Sequence, residues 1–515
     1  FSYSATISAC EKAGEWELAL FLLQEMPARR VDPNVINYNT AISACEKRGH
    51  WQLSVCLLWS LGDIRMVPDA ITFNTAISAC SKGGQWQLAL RLLATMTEIR
   101  VLTTVVSYSA CISACGTQGQ WQLALHLLSS MPEMSVIPNE ISHNAAISAY
   151  EKTGQWRSAL SLLNSMLEAR LAPDFISHSA AISACSKGDQ WPLALHLLRS
   201  MHLRRSIPNE VSYNSAISAC EKGGQWELAV RLLRGMPEMT LNADRISHNA
   251  AVSACEKGGV WQLALAVLTG MREIRVTPNI VTYNAAISAC AKRGQWQQAA
   301  GILEVMRQKQ SILDTITGNA VISTCEKAGQ WQLALHVLMS TIPQQLAIKV
   351  NGVSFNAAIS ACEKAGQWQL ALSLLSNMPG RRHAPNAISY NSAVSACEKG
   401  EQWQLALTLL SCPPQKSILP DVITYSAAIS AGEKGGQWQL SLGLLSCMPR
   451  ERFVPDAISC NAAISAVARG GLWGLAVDLL QQMRRMEHVP NAIIYCAAIL
   501  SIETSGPLPA LPALL

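Results

Sequence analysis

The sequence predicts an all-α protein, an α-solenoid of about fourteen tandem helix-turn-helix units, on three observations. Tryptophan recurs at a fixed step: Trp16, Trp51, Trp86, Trp121, Trp156, Trp191, Trp226, Trp261, Trp296 and Trp331 stand 35 residues apart, Trp368 follows after 37, and Trp403, Trp438 and Trp473 resume the step of 35. Around each tryptophan, two runs of apolar residues fall at helical spacing. Glycines separate the two runs, and most units close on Asn or Asp. A fixed period of 20–50 residues is the signature of stacked repeats.

One unit shows how the elements arise. In residues 210–244, Tyr213, Ala216, Ile217 and Cys220 lie at offsets 0, 3, 4 and 7, one face of a first helix. Gly223 and Gly224 break it. Trp226, Ala229, Val230, Leu233 and Met236 then form the apolar stripe of a second helix, and Pro237 opens a polar link that ends at Asp244. Neither helix can bury its face alone, so neighbouring units must stack. Units are expected to end near residues 34, 69, 104, 139, 174, 209, 244, 279, 314, 351, 386, 421, 456 and 491. A partial unit completes an array over 1–500, and residues 501–515, with Pro507, Pro509 and Pro512, are expected to be a tail.

Composition narrows the function. Half of the 515 residues are apolar and the net charge is only +5, so a polyanionic partner has to be argued from where charges sit. There is no run of eighteen apolar residues, and a membrane partner is not expected. Eleven of the seventeen cysteines share one repeat position, from Cys10 and Cys45 to Cys397, with Tyr150 and Val467 at equivalent places. No Cys-x-x-Cys pair exists, so they read as small buried reduced side chains, with neither a metal nor a cofactor expected. The histidines are scattered: His143, His178 and His248 replace the first-helix tyrosine, and His126, His196 and His336 lie on the polar side of the second helix. There is no deaminase-type zinc signature, acidic nuclease cluster or Gly-rich phosphate loop, so no enzymatic activity is expected.

The units read approximately Ile-Ser-Tyr-Asn-Ala-Ala-Ile-Ser-Ala-Cys-Glu-Lys-Gly-Gly-Gln-Trp-Gln-Leu-Ala-Leu and close on Pro-Asn or Pro-Asp. This pattern resembles the pentatricopeptide repeat family, in its pure 35-residue class, over essentially the whole chain. The tetratricopeptide family is the near rival, with a 34-residue unit and a different marker pattern. The resemblance implies a right-handed superhelix with first helices inside. It also implies binding of single-stranded RNA at one base per unit, in organellar (plastid or mitochondrial) RNA processing, stabilisation, splicing or editing, with processing or editing proteins as further partners. A tetratricopeptide-like protein-interaction scaffold is the alternative, and an RNA-processing enzyme with its catalytic domain outside this sequence is a third reading. Oligomeric state is not legible.

In that family the base is read by the residue after the first-helix aromatic together with the last residue of the same unit. The first position holds Ser4, Asn39, Asn74, Ser109, Asn144, Ser179, Asn214, Asn249, Asn284, Asn319, Asn356, Asn391, Ser426 and Asn461. The second holds Asn34, Asp69, Thr104, Asn139, Asp174, Asn209, Asp244, Asn279, Asp314, Asn351, Asn386, Asp421, Asp456 and Asn491. An Asp acceptor suits the ring N–H of uracil or guanine, and an Asn donor suits the ring nitrogen of cytosine or adenine. The plainer explanation of Asp and Asn here is capping of the next helix. The second residue of each unit from Ile36 to Ile458 is aliphatic, which the resemblance reads as a wedge between bases and ordinary reasoning reads as packing between units. Cations recur near the end of the first helix: Lys12, Lys47, Lys82, Lys152, Lys187, Lys222, Lys257, Lys292, Lys327, Lys364, Lys399, Lys434 and Arg469, with Thr117 breaking the row. They are candidate phosphate contacts, or else cations at helix C-termini or partners of a neighbouring Glu.

Overall fold

A computed structural model describes residues 2–485, except 30, 65, 204–205, 310–313, 341–350, 381–383, 412–419 and 450–452, together with Tyr495. Asn491 and the expected tail lie outside the described residues. These contain twenty-eight α-helices and no strand, two helices per unit. The chain divides into two bodies, Phe1–Gly258 and Gly259–Leu515. In each body consecutive first helices pack on one another, and second helices pack between the first helices of their own and the next unit of that body. This is α-solenoid packing.

Unit 7 follows the predicted pattern. Its first helix spans Glu210–Lys222 and its second Trp226–Gly235, followed by a 3₁₀ turn, Pro237–Met239. Tyr213, Ala216, Ile217 and Cys220 are buried, as are Ala229, Val230, Leu233 and Met236. Trp226 is only half-buried, because it packs outward onto the next unit.

The Gly-Gly turn uses its two residues for different reasons. Gly224 has φ +68°, the left-handed region that glycine enters without strain. Gly223 has an ordinary backbone, but a Cβ there would collide with the indole of Trp191 from the preceding unit. The same contact recurs between Gly83 and Trp51, and between Gly435 and Trp403. The tryptophan lattice therefore locks each of these units to the next.

The repeated cysteines are buried from Cys45 to Cys397, and burial pushes thiols such as Cys220 and Cys362 up to about 11. They are free thiols and fill space in the core. His143, His178 and His248 are also buried, each with Nδ1 on the carbonyl four residues back, at 2.9, 3.0 and 2.8 Å. His126, His196 and His336 are exposed. Among the described residues no helix is long and apolar enough to cross a membrane, and no group of three or more His, Cys, Asp or Glu is placed to hold a metal ion.

Candidate nucleic-acid interface

Helical geometry places the candidate residues of a unit in one stripe. Ile36, Asn39, Ser43 and Lys47 stand at offsets 0, 3, 7 and 11, hence on one side of the helix Val35–Arg48. The buried stripe, Tyr38, Ala41, Ile42 and Cys45, occupies another side. The aliphatic row lies open: from Ile36 to Ile458 its thirteen members are 46–64 % exposed, which is not the burial expected of packing between units.

The structure joins the two candidate base-reading positions across 30 residues of chain. Asn39 Nδ2 donates to Asp69 Oδ1 at 3.2 Å, Asn144 to Asp174 at 3.2 Å, Asn214 to Asp244 at 3.3 Å, Asn284 to Asp314 at 3.2 Å and Asn391 to Asp421 Oδ2 at 2.9 Å. Asn74 donates likewise to Thr104, at 3.3 Å, and Asn356 to Asn386, at 3.1 Å. The 37-residue unit departs from this: Ser354 donates to Asn319 and, at 3.1 Å, to Asn351. Asn249 and Asn279 stand in different bodies, and Asn461 has its Oδ1 buried without a partner.

Serine at the first position behaves differently. Ser109, Ser179 and Ser426 donate to carbonyls of their own helix, at 3.1, 2.7 and 2.9 Å. Ser4 reaches Asn37 at 3.5 Å. No bond joins these serines to Asn139, Asn209, Asp456 or Asn34.

Capping is also present. Asn34, Asp69, Thr104, Asn139, Asp174, Asn209, Asp244, Asn279, Asp314, Asn351, Asn386, Asp421 and Asp456 each accept from the backbone N–H three residues on. Capping and base reading are compatible because they use different atoms. In Asp and Asn alike the cap engages Oδ1, which leaves Oδ2 of Asp as an acceptor or Nδ2 of Asn as a donor. The electrostatics follow. Burial pushes the Asp421 carboxyl upward, but hydrogen bonds from Thr424, Asn391 and the backbone outweigh it and hold the group below the ordinary 3.8. Asp69, Asp244 and Asp314 are lowered by the same balance.

A third row was missed in the sequence. The third residue of the next unit is a buried Ser or Thr whose hydroxyl reaches back to the asparagine: Ser107 to Asn74 at 2.6 Å, Ser177 to Asn144, Thr317 to Asn284 and Thr424 to Asn391 at 2.5 Å, and Ser389 to Asn356 at 2.6 Å. The signal available was the near-invariant Ser or Thr at that position, which reads locally as helix-start chemistry.

The cations are not a bare stripe. Lys47 lies 3.1 Å from Glu11 of the preceding unit, and Lys82, Lys187, Lys257, Lys364, Lys399, Lys434 and Arg469 pair in the same way with Glu46, Glu151, Glu221, Glu326, Glu363, Glu398 and Glu433. Lys292 also has a partner. The glutamate place ahead of Lys152, Lys222 and Lys327 is taken by Gly116, Ser186 and Ala291. Those three lysines, and Lys12 in the first unit, are exposed and have no carboxylate partner among the described residues.

Comparison with known proteins agrees with this architecture. Profiles described as the PPR repeat family match residues 278–327 and 350–399, and a pentatricopeptide repeat domain matches 1–48, 63–118 and 231–293. A pentatricopeptide repeat-containing protein profile matches 108–236, and a PPR repeat matches 458–488. No curated protein sequence matches. Among solved structures, the pentatricopeptide repeat protein PPR10 in complex with an 18-nt psaJ RNA element aligns over 99% of this chain and 78% of its own, with 21% identity and a TM-score of 0.55. PPR10 from maize aligns over 99% and 77%, with 20% identity and a TM-score of 0.50. With pentatricopeptide repeat profiles together matching more than half of its length, the chain belongs to the pentatricopeptide repeat family.

Proposed function

We propose that the protein binds single-stranded RNA sequence-specifically, one nucleotide per unit, along the row of first helices, and serves organellar RNA processing, stabilisation, splicing or editing without a catalytic step of its own. The observation that carries the reading is the repeated juxtaposition of an exposed aliphatic side chain with a hydrogen-bonded pair such as Asn391 and Asp421. The aliphatic residue offers apolar area for the face of a base. The pair offers polar atoms for its edge, and exposed lysines lie two turns along the same helix for phosphates. The PPR10 complex with RNA supports the reading by its fold.

With the edge chemistry above at the unit ends, and with serine taking purines, asparagine taking pyrimidines and the protein N-terminus at the RNA 5′ end as the family resemblance implies, the letters in chain order run A, U, a pyrimidine, A, U, A, U, C, U, C, C, U, G, C. Selection from a random single-stranded pool tests this. The expected result is enrichment with purines opposite Ser4, Ser109, Ser179 and Ser426, and weaker binding to duplex. Purines placed at random, or equal affinity for duplex, would overturn the one-letter-per-unit reading. A peptide rather than an RNA captured on the same face would favour the scaffold alternative.

A further inference from the structure

The asparagine amide is held at both ends in some units and at one end in others. Asp421 can only accept as a carboxylate, so the Asn391 atom 2.9 Å from its Oδ2 is the amide nitrogen. The amide oxygen then falls on Thr424, whose single hydroxyl proton has two acceptors in reach, that oxygen at 2.5 Å and Asp421 Oδ1 at 2.8 Å, with the amide oxygen the nearer. Turning the amide over would set oxygen against carboxylate. Its remaining N–H is therefore the one polar group that Asn391 can show to a base. In unit 2 the third-row residue is also a threonine and the unit end is also Asp, but Thr72 donates at 2.7 Å to Asp69 alone. Asn39 Oδ1 is left buried without a partner, as is Asn214 Oδ1 in unit 7.

We propose that the buried hydroxyl at the third position of each unit is a positioning residue for the base read by the unit before it. Resting on the RNA-binding reading above, it locks the asparagine amide as a donor toward a pyrimidine, and only in the units where it reaches the amide oxygen. Units 5, 9 and 12, with Asn144, Asn284 and Asn391, are then strict readers. Units 2 and 7 have an amide anchored at its nitrogen alone, by Asp69 and Asp244, with its buried oxygen unanchored, and they hold the amide less firmly and discriminate less between uracil and cytosine. The third-row threonine is thus a specificity determinant that touches no base.

The test compares two threonines that share a capping box with Asp but differ in reach. Affinities are measured for pairs of RNAs that differ only in U or C at the letter of unit 12 or of unit 2. Thr424→Val keeps the volume and removes the hydroxyl, and it is expected to lower discrimination at its letter about five- to tenfold. Thr424→Ser is expected to restore it. Thr72→Val loses an equivalent cap bond, so it should cost similar stability while leaving discrimination at its own letter unchanged. Thr317→Val repeats the strict case at Asn284 and Asp314, should Thr424→Val disturb folding. Retained discrimination in Thr424→Val and Thr317→Val, or an equal loss in Thr72→Val, would reduce the hydroxyl to a helix cap and overturn the proposal. Failure of the RNA reading is a different outcome, because unmodified protein would then bind neither RNA of a pair.

Discussion

The ammonium of Lys434 lies 3.0 Å from the carboxylate of Glu398, its counterpart 36 residues earlier in the preceding unit. In the sequence each such Glu stands directly before a lysine of its own unit, yet it pairs with the lysine of the next. The candidate phosphate track thus contains two kinds of cation, those with a partner and those, Lys12, Lys152, Lys222 and Lys327, with no carboxylate partner among the described residues.

The lone lysines are expected to carry most of the salt dependence of RNA binding. Replacing Lys152, Lys222 and Lys327 by Gln should make the log–log salt slope shallower by about 0.7 per lysine. The same change at Lys364, Lys399 and Lys434 should alter it less, since each of those contacts keeps a carboxylate nearby. Titration of both triple variants across a salt series checks this, and equal changes in slope would show that pairing does not matter.

Asp456→Asn is expected to change one letter. Ser426 and Asp456 form the only Ser–Asp unit, in which Ser426 turns to its own helix and Asp456 Oδ1 caps Ser459 at 2.8 Å. Guanine fits the acceptor Oδ2, and an amide nitrogen in its place fits adenine. The preference should move from G to A at that letter by about 1–3 kcal/mol, with folding almost unchanged because Asn caps about as well as Asp. Competition between two RNAs differing at that letter is the measurement. Equal weakening of both would make Asp456 purely structural.

Two glycines should respond oppositely to alanine. At Gly223 a Cβ meets the indole of Trp191, so Gly223→Ala is expected to cost about 1–3 kcal/mol. Gly270 lies inside the helix Trp261–Glu273 with nothing within 4 Å of a Cβ, so Gly270→Ala is expected to stabilise its unit by about 0.5–1 kcal/mol. Hydrogen-exchange protection of units 7 and 8 reads both effects.

Acid should loosen the unit junctions. Asp69, Asp244, Asp314 and Asp421 are held below 3.8, so as pH falls the unfolded chain takes up their protons first. Their stabilisation is complete above the ordinary carboxylate value and is lost as pH falls through the lowered ones. Melting temperature should be flat near neutrality and drop below about pH 4, with a shallower drop in Asp421→Asn. An identical acid limb in that variant would contradict this.

The period, the two helices per unit and the buried stripe were legible in the sequence because each depends on spacing within one unit, whereas the candidate base-reading pair is what the family resemblance implies. Tyr213 to Cys220 needed only the helical repeat, and Asp421 ahead of Thr424 needed only capping rules. The Lys434–Glu398 pair and the Thr424–Asn391 bond were not legible. Both cross between units, and the offset at which helices stack is set by side-chain packing, not by adjacency in the chain. The indole of Trp191 over Gly223 was hidden for the same reason, although both residues were noticed separately. Sequence reasoning also left the aliphatic row undecided, and the exposure of Ile36 and its equivalents separates it from the core.

The seating of each tryptophan on the next unit's glycine has a consequence for how such an array can lengthen. A unit with this Gly-Gly turn, such as 210–244, receives an indole at one end and offers one at the other. Insertion of a second copy directly after the first would therefore create a junction of the kind already present on either side, with no new packing problem to solve. Stability would grow by one unit and one interface, and on the proposed reading the target would grow by one letter. Units with a bulkier residue at that place, such as Arg48 or Gln118, lack this interchangeability. Duplication in this protein is easiest where the glycine stands.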